Sequence, residues 1–180
     1  MAQWNLDPAH SAANFTVRHM MVTNVRGSFG NLSGVINFDP ENLGASSVDA
    51  TIDVSTINTG VTDRDNHLRS ADFFEVEKFP NMTFKSTSVE VTGDTSAKVT
   101  GDLTIRDITN PVVLDVEFLG QGGSPFGDTR AGFEATTKIN REAFNLTWNQ
   151  ALETGGVLVG NDIKVNLDIQ GVLVTETVNA

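Results

Sequence analysis

Residues 48–54 read VDATIDV: Val48, Ala50, Ile52 and Val54 fall on one side of an extended chain, and Asp49, Thr51 and Asp53 on the other. Successive side chains of a strand point to opposite faces, so this alternation marks a strand with one apolar and one wet face. The same period recurs outward in both directions. N-terminal to it, Ala13, Phe15 and Val17 alternate with Asn14, Thr16 and Arg18. On the C-terminal side come Met82 and Phe84, then Val99, Leu103 and Ile105, then Leu114, Val116 and Phe118. Ala131, Phe133, Ala135 and Ile139 follow, and last Ile163, Val165, Leu167, Ile169 and Leu173. Parallel strands, covered on both faces, read as continuous apolar runs; alternating ones belong in an antiparallel sheet.

Turn chemistry separates these segments, at Asp39-Pro40-Glu41-Asn42, Thr92-Gly93-Asp94, Gly120 to Asp128 and Gly155-Gly156. Links this short join neighbours as hairpins. About eight such strands, with no long helical pattern, predict a meander closed on itself, which also removes exposed sheet edges. The expected architecture is therefore all-β: an extended eight-stranded antiparallel barrel over residues 1–180, one domain, with one or two short helices near one end. A strand over Asn81–Val91 would span roughly 35 Å, so the barrel is tall.

Eight strands enclose a space that side chains fill or that holds one slim ligand. Small residues at Ala13, Ala50, Gly101, Ala131, Ala135 and Gly171 are read as facing inward and leaving room. A tall tube with apolar walls suits a linear apolar chain; the alternative is a filled core in which these small residues match bulky neighbours. The candidate lining is Phe15, Val17, Met20, Met21, Phe29, Ile36, Phe38, Ile52, Phe74, Phe84, Leu103, Leu114, Val116, Phe133, Ala135, Leu167 and Ile169.

The alternation breaks at residues 59–74, TGVTDRDNHLRSADFF. Thr62 as N-cap, with Asp65 reaching back to it, predicts the start of a short helix. Asp63 before His67 and Asp65 before Arg69 add charge pairs at helical spacing. So short a helix is stable only when docked, which assigns Leu68, Phe73 and Phe74 to an apolar contact. A lid over the barrel is the natural place for it.

Acids number 23 against 12 Lys and Arg, a formal net charge of −11, which repels nucleic-acid phosphates and anionic membranes alike. Nucleic acid is not an expected partner. With no cysteine there is neither a thiolate nucleophile nor a Cys-based metal site. No run approaches the ~20 apolar residues of a membrane-spanning helix. The start, MAQWNLDPAHS, has no basic and apolar leader pattern, so the cytoplasm is the expected location unless a leader preceded Met1.

Four stretches carry a family resemblance: WNLDPAHSAANFTVRHMMVTNVRGSFG (4–30), TGVTDRDNHLRSADFFEVEKFPNMTFKS (59–86), GDLTIRDITNPVVLDV (101–116) and GFEATTKINREAF (132–144). Together, and in this order, they resemble the YceI-like family. That resemblance implies a lipocalin-like barrel with helical insertions near one end, holding a long polyisoprenoid, such as an isoprenoid quinone, or another long-tailed amphiphile. Asp107 departs from the family pattern, in which glycine usually follows the Leu-Thr-Ile-Arg run; Asp tolerates the left-handed turn conformation, so the hairpin is expected to survive.

Arg64, Asp65 and His67 are candidates for a polar mouth receiving a head group, with His19 beside them. The cap and charge pairs account for the same spacing structurally. Asp63, Asp65 and His67 alternate as metal ligands might on a strand, but residues two apart on a helix do not share a face, and His10, read as bonding a backbone carbonyl in its turn, adds no ligand pattern. No metal and no cofactor is expected. Met20 and Met21 are flexible enough to line an entrance, while Trp4 and Trp148 are read as packing at opposite ends.

Nucleophile elbows and phosphate loops are absent from the sequence. The leading expectation is a carrier without chemistry of its own. One alternative is an enzyme acting on such a lipid with His19 or His67 as acid–base group beside Arg64; another is a stress-related interaction protein with a filled barrel. A homodimer could form through an outward strip of Val113, Leu119, Val172 and Val174.

Overall fold

The computed structural model describes residues 2–150, 152 and 158–175. Its strands are β1 (Ala2–Leu6), β2 (Ala12–His19), β3 (Thr23–Phe29), β4 (Leu32–Phe38), β5 (Ser47–Asp53), β6 (Asn81–Val91), β7 (Ser96–Ile105), β8 (Ile108–Gly123), β9 (Thr129–Asn140) and β10 (Val159–Leu173). Among the described residues there is one α-helix, α1, spanning Thr62–Arg69. All strand pairings are antiparallel, and β1–β10 pairing closes the sheet.

Ten segments make eight staves. β1 and β2 both pair with β10, at Gly171–Leu173 and Val159–Asp168 respectively, so they are one stave interrupted between Leu6 and Ala12. β3 and β4 are likewise one stave, interrupted at Gly30-Asn31 and pairing back on β2 and β1. Asn31 takes a left-handed φ of 53° at this break. The predicted barrel is the observed one, and β6 has the predicted bounds.

Local details differ from the sequence reading for identifiable reasons. Val54 leaves the strand and opens a 3-10 turn, Val54–Thr56, capped by the Asp53 side chain on the Ser55 N–H. The Gly120–Asp128 stretch stays in β8 as far as Gly123; only Ser124–Asp128 turns, with the Ser124 hydroxyl on the Asp128 carboxylate. In the β7–β8 hairpin the left-handed residue is Arg106 (φ 56°), not Asp107. Asp39 turns the chain as expected, accepting the Asn42 N–H on its carbonyl. Gly155-Gly156 lies outside the described residues.

Two apolar clusters occupy the interior at different levels. Trp4, Leu6, Ile36, Phe38, Ala131 and Phe133 form one. Ala13, Phe29, Leu32, Val54, Ile57, Met82, Leu103, Ile105, Phe144 and Leu146 form the other, with Leu68 and Phe74 packed against it. The registers place the first where β1, β4 and β9 meet and the second beside the insert between β5 and β6.

Candidate functional site

Between the clusters runs one cavity of about 300 Å³ with a nearly continuous apolar wall. That volume is at the lower end of the ~300–1,000 Å³ typical of small-molecule sites. Fifteen of the predicted lining residues are on its wall: Phe15, Val17, Phe29, Ile36, Phe38, Ile52, Phe74, Phe84, Leu103, Leu114, Val116, Phe133, Ala135, Leu167 and Ile169. Phe74 arrives on the insert between β5 and β6; the other fourteen are on strands, and period-two alternation put them there, because in a closed barrel the apolar face of every stave is the inside.

Met20 and Met21 are corrections: they form the exposed tip of the β2–β3 hairpin and do not reach the cavity. A tip beyond the last strand pair, His19–Thr23, has no inside to face. Small inward residues also divide in two. Ala13, Ala50 and Ala135 border the open space, whereas a Cβ on Gly101 would collide with the Phe84 ring, and one on Gly171 would lie 3.2 Å from the Trp4 Cβ. Those two glycines seat aromatic neighbours instead of leaving room.

One end of the cavity is packed by strand side chains. Phe38 lies 4.7 Å from Phe118 and 5.1 Å from Phe133, ring centre to ring centre, with Trp4 buried in the same cluster. Ser46, Ser47, Thr95 and Ser96 also border the cavity; the Ser46 Oγ is buried and, among the described residues, has no hydrogen-bond partner.

The insert of residues 54–80 covers the opposite end. Ser28 and Asn58 exchange two backbone hydrogen bonds of 2.9 Å, seating the insert along β3. Ile57, Leu68, Phe73 and Phe74 then reach the cavity wall, which is the docking the short helix required. Phe74 meets Phe29 edge-on at 5.6 Å. Trp148 stacks on the outside of this insert, 4.7 Å from His67 and 5.4 Å from Phe73.

None of the four predicted mouth residues lines the cavity. Asp65, buried, accepts the Thr59 N–H at 2.8 Å and the Thr59 hydroxyl at 2.5 Å; Arg64 donates to the Thr59 hydroxyl and carbonyl, both at 2.7 Å. The two clamp the entry to α1. Its N-cap is Val61, without a side-chain cap, so the predicted Thr62 box is displaced by this clamp. The predicted charge pairs are absent: His67 bonds Asp72 at 2.9 Å, and Arg69 bonds the carbonyls of Ser55 and Ile57 and the side chain of Asn66. His19 ends β2, half-buried and off the wall. An acid–base pair of His19 or His67 with Arg64 is therefore not assembled at the cavity. His10 bonds the Asp7 carboxylate at 2.8 Å rather than a carbonyl. Among the described residues no group of three His, Asp or Glu side chains is placed to hold a metal.

Among the described residues Arg141 is the one charged residue on the wall, and sequence reasoning missed it. It is 3% exposed. Its guanidinium donates to the carbonyls of Gly160 (2.8 Å), Leu146 (2.6 Å), Trp148 (2.8 Å) and Val159 (3.3 Å). Burial pulls its pKa below the ordinary arginine value. The 3-10 turn Arg141–Phe144, the carbonyls of Leu146 and Trp148 and the start of β10 are thereby drawn together. No local spacing announces such a role, because all four acceptors are backbone groups.

A family model described as YceI-like domain matches residues 4–171. A UPF0312 protein of Staphylococcus aureus is 43% identical over 165 residues, covering 91% of this chain and 94% of that protein. A crystal structure of a Campylobacter jejuni YceI protein is 34% identical, with a TM-score of 0.73 over 88% of this chain and 90% of the other. BcnA of Burkholderia cenocepacia, 24% identical, matches in fold with a TM-score of 0.80 over 92% and 98%. A polyisoprenoid-binding domain of Saccharophagus degradans, implicated in plant cell wall breakdown, is 16% identical with a TM-score of 0.70 over 95% and 98%. Taken with the closed eight-stave barrel, the match over residues 4–171 establishes that the chain belongs to the YceI-like family.

Proposed function

We propose that the protein is a carrier holding one long-chain amphiphile, a polyisoprenoid in the first instance, in its barrel. The single observation behind this reading is the cavity itself: an apolar tube running between the two clusters, with its one charged side chain already committed to backbone carbonyls. The polyisoprenoid-binding neighbour of the same fold supports the ligand class.

Affinity in such a site comes from the chain. Each buried methylene contributes roughly 0.8 kcal/mol before ordering costs, whereas a neutral head-group hydrogen bond contributes about 1 kcal/mol. Preference is then for tail length and flexibility over head-group identity.

Native mass spectrometry of freshly purified protein, followed by organic extraction of any adduct, tests this. A discrete extra mass matching a prenyl or fatty chain is expected. A protein that stays free of ligand after incubation with prenyl quinones and prenyl phosphates would overturn the carrier. Ala135→Trp, on the cavity wall, should shorten the preferred chain while the variant remains folded; an unchanged length preference would remove the tube from the explanation.

A further inference from the structure

The β2–β3 hairpin differs from the rest of the chain in charge. Between Asp7 and Asp39 the sequence contains no acid, although the whole chain has 23. Registers across four strands, β9, β10, β2 and β3, line up Lys138, Lys164, Thr16 and Arg26 in one outward row, and Arg18 projects from the same face two residues beyond Thr16. Lys138, Lys164, Arg26 and Arg18 are all exposed. Lys138 and Lys164 face each other directly, a like-charge pairing that opposes the fold. Asp162 meets Lys138 at 3.1 Å; among the described residues no carboxylate pairs with Lys164, Arg26 or Arg18.

At the end of this row the chain presents apolar side chains to solvent. Met20, Met21 and Val22 are 48%, 55% and 71% exposed. Both methionines take left-handed φ, 54° and 65°, a conformation uncommon for any residue but glycine, asparagine or aspartate. The tip is nevertheless held in place: the Met20 N–H donates to the Leu158 carbonyl at 2.7 Å and the Val22 N–H to the His19 carbonyl at 3.2 Å. Just below it, Val17 and Val159 are on the cavity wall. Bulky thioethers stand in a turn that asparagine or glycine would occupy with less strain, at the tip of a hairpin whose cations Arg18 and Arg26 have no carboxylate partner among the described residues.

We propose that this hairpin docks the protein on an anionic lipid bilayer, with Met20, Met21 and Val22 entering the acyl boundary and Arg18, Arg26, Lys164 and Lys138 facing the head groups. The net charge of −11 opposes such a surface for the molecule as a whole, so approach is favoured through the acid-free hairpin. Three side chains and a few charges give weak, reversible attachment. Docking rests on the carrier reading for its purpose: it brings the end of the cavity lined by Val17 and Val159 towards the phase in which a long-chain ligand dissolves.

Flotation with phosphatidylcholine vesicles, with and without phosphatidylglycerol, tests the docking, and retention of a fluorescent prenyl probe is measured alongside. Wild-type protein is expected to float only with the anionic vesicles, and less as salt is raised. Arg18→Gln and Arg26→Gln should each weaken binding about fivefold. Met20→Asn with Met21→Gly suits the left-handed turn and should reduce flotation while probe retention is unchanged. Wild-type protein that fails to float with anionic vesicles, or variants that float like wild type, would overturn the proposal. Loss of probe retention in the wild type would count against the carrier instead, and flotation would still decide the docking.

Discussion

The two ends of the barrel are closed in different ways. At one, Trp4, Phe38, Phe118 and Phe133 fill the space with rings borne by the staves themselves. The other is closed by a separate piece of chain, the 54–80 insert, held by backbone exchange at Ser28–Asn58, the Thr59 clamp of Arg64 and Asp65, and Arg69 on two carbonyls. A ring packed among staves moves only if the barrel opens. The insert is anchored by Val54 and Ile57, each 1% exposed, yet apart from the Ser28–Asn58 bridge it takes no part in the strand pairing, so it can open as a local unit with the staves still paired. The insert end is therefore the one at which the cavity can open without breaking the barrel.

The comparison is most sharply tested by removing the central side chain at each end. Trp4→Ala should cost about 3–5 kcal/mol of global stability through the cavity it leaves, read by urea denaturation. Arg141→Ala should cost a similar amount, about 3 kcal/mol or more, by stranding buried carbonyls. The two should separate in hydrogen exchange, with the Arg141 variant losing protection first around residues 141–150. Uniform loss of protection in both would erase the distinction between the ends.

A smaller effect is expected at the clamp. Asp65→Ala leaves the Thr59 N–H without its acceptor and should cost about 1–3 kcal/mol, concentrated in faster exchange over residues 57–79 and in faster ligand release. A fall in global stability equal to that of Trp4→Ala would mean the insert does not yield as a separate unit.

The smallest effect concerns acid. Asp7 joins the interrupted first stave to the β9 end through His10 and Arg130, at 2.8 and 2.5 Å. The His10 bond most strongly, aided by the Ala9 N–H and Arg130, holds its carboxyl below the usual value against the opposing effect of burial. A depressed folded-state pKa adds stability that is complete above the unfolded value of about 4 and is lost as pH falls through the native one. Asp7→Asn should therefore be less stable than wild type at neutral pH and converge on it below about pH 4. Parallel stability curves for the two proteins would leave Asp7 without that role.

Much of the barrel could be read from its sequence because its signal is local and repetitive. In VDATIDV, as in the rows of Phe133 and Ala135 or Leu167 and Ile169, polarity at each position states which face it takes. Closure then makes one face the interior, and the fourteen strand-borne lining residues follow. Met20 and Met21 were misplaced because two apolar residues in succession carry no period, and only the end of strand pairing at His19–Thr23 put them outside.

Tertiary structure alone decided the polar residues and the glycines. Asp65 could satisfy a helix cap or a loop backbone with the same carboxylate, and the path of Thr59 beside β3 settled the choice. Arg141 looks like any surface arginine until four carbonyls from chain 5–19 residues away converge on it. Gly101 and Gly171 promised space that Phe84 and Trp4 occupy. Strand, face and barrel are written in the order of residues because side-chain alternation is a property of neighbours in sequence. Which hydrogen bond a polar group makes, and which gap a ring fills, depends on atoms that folding brings together from elsewhere in the chain.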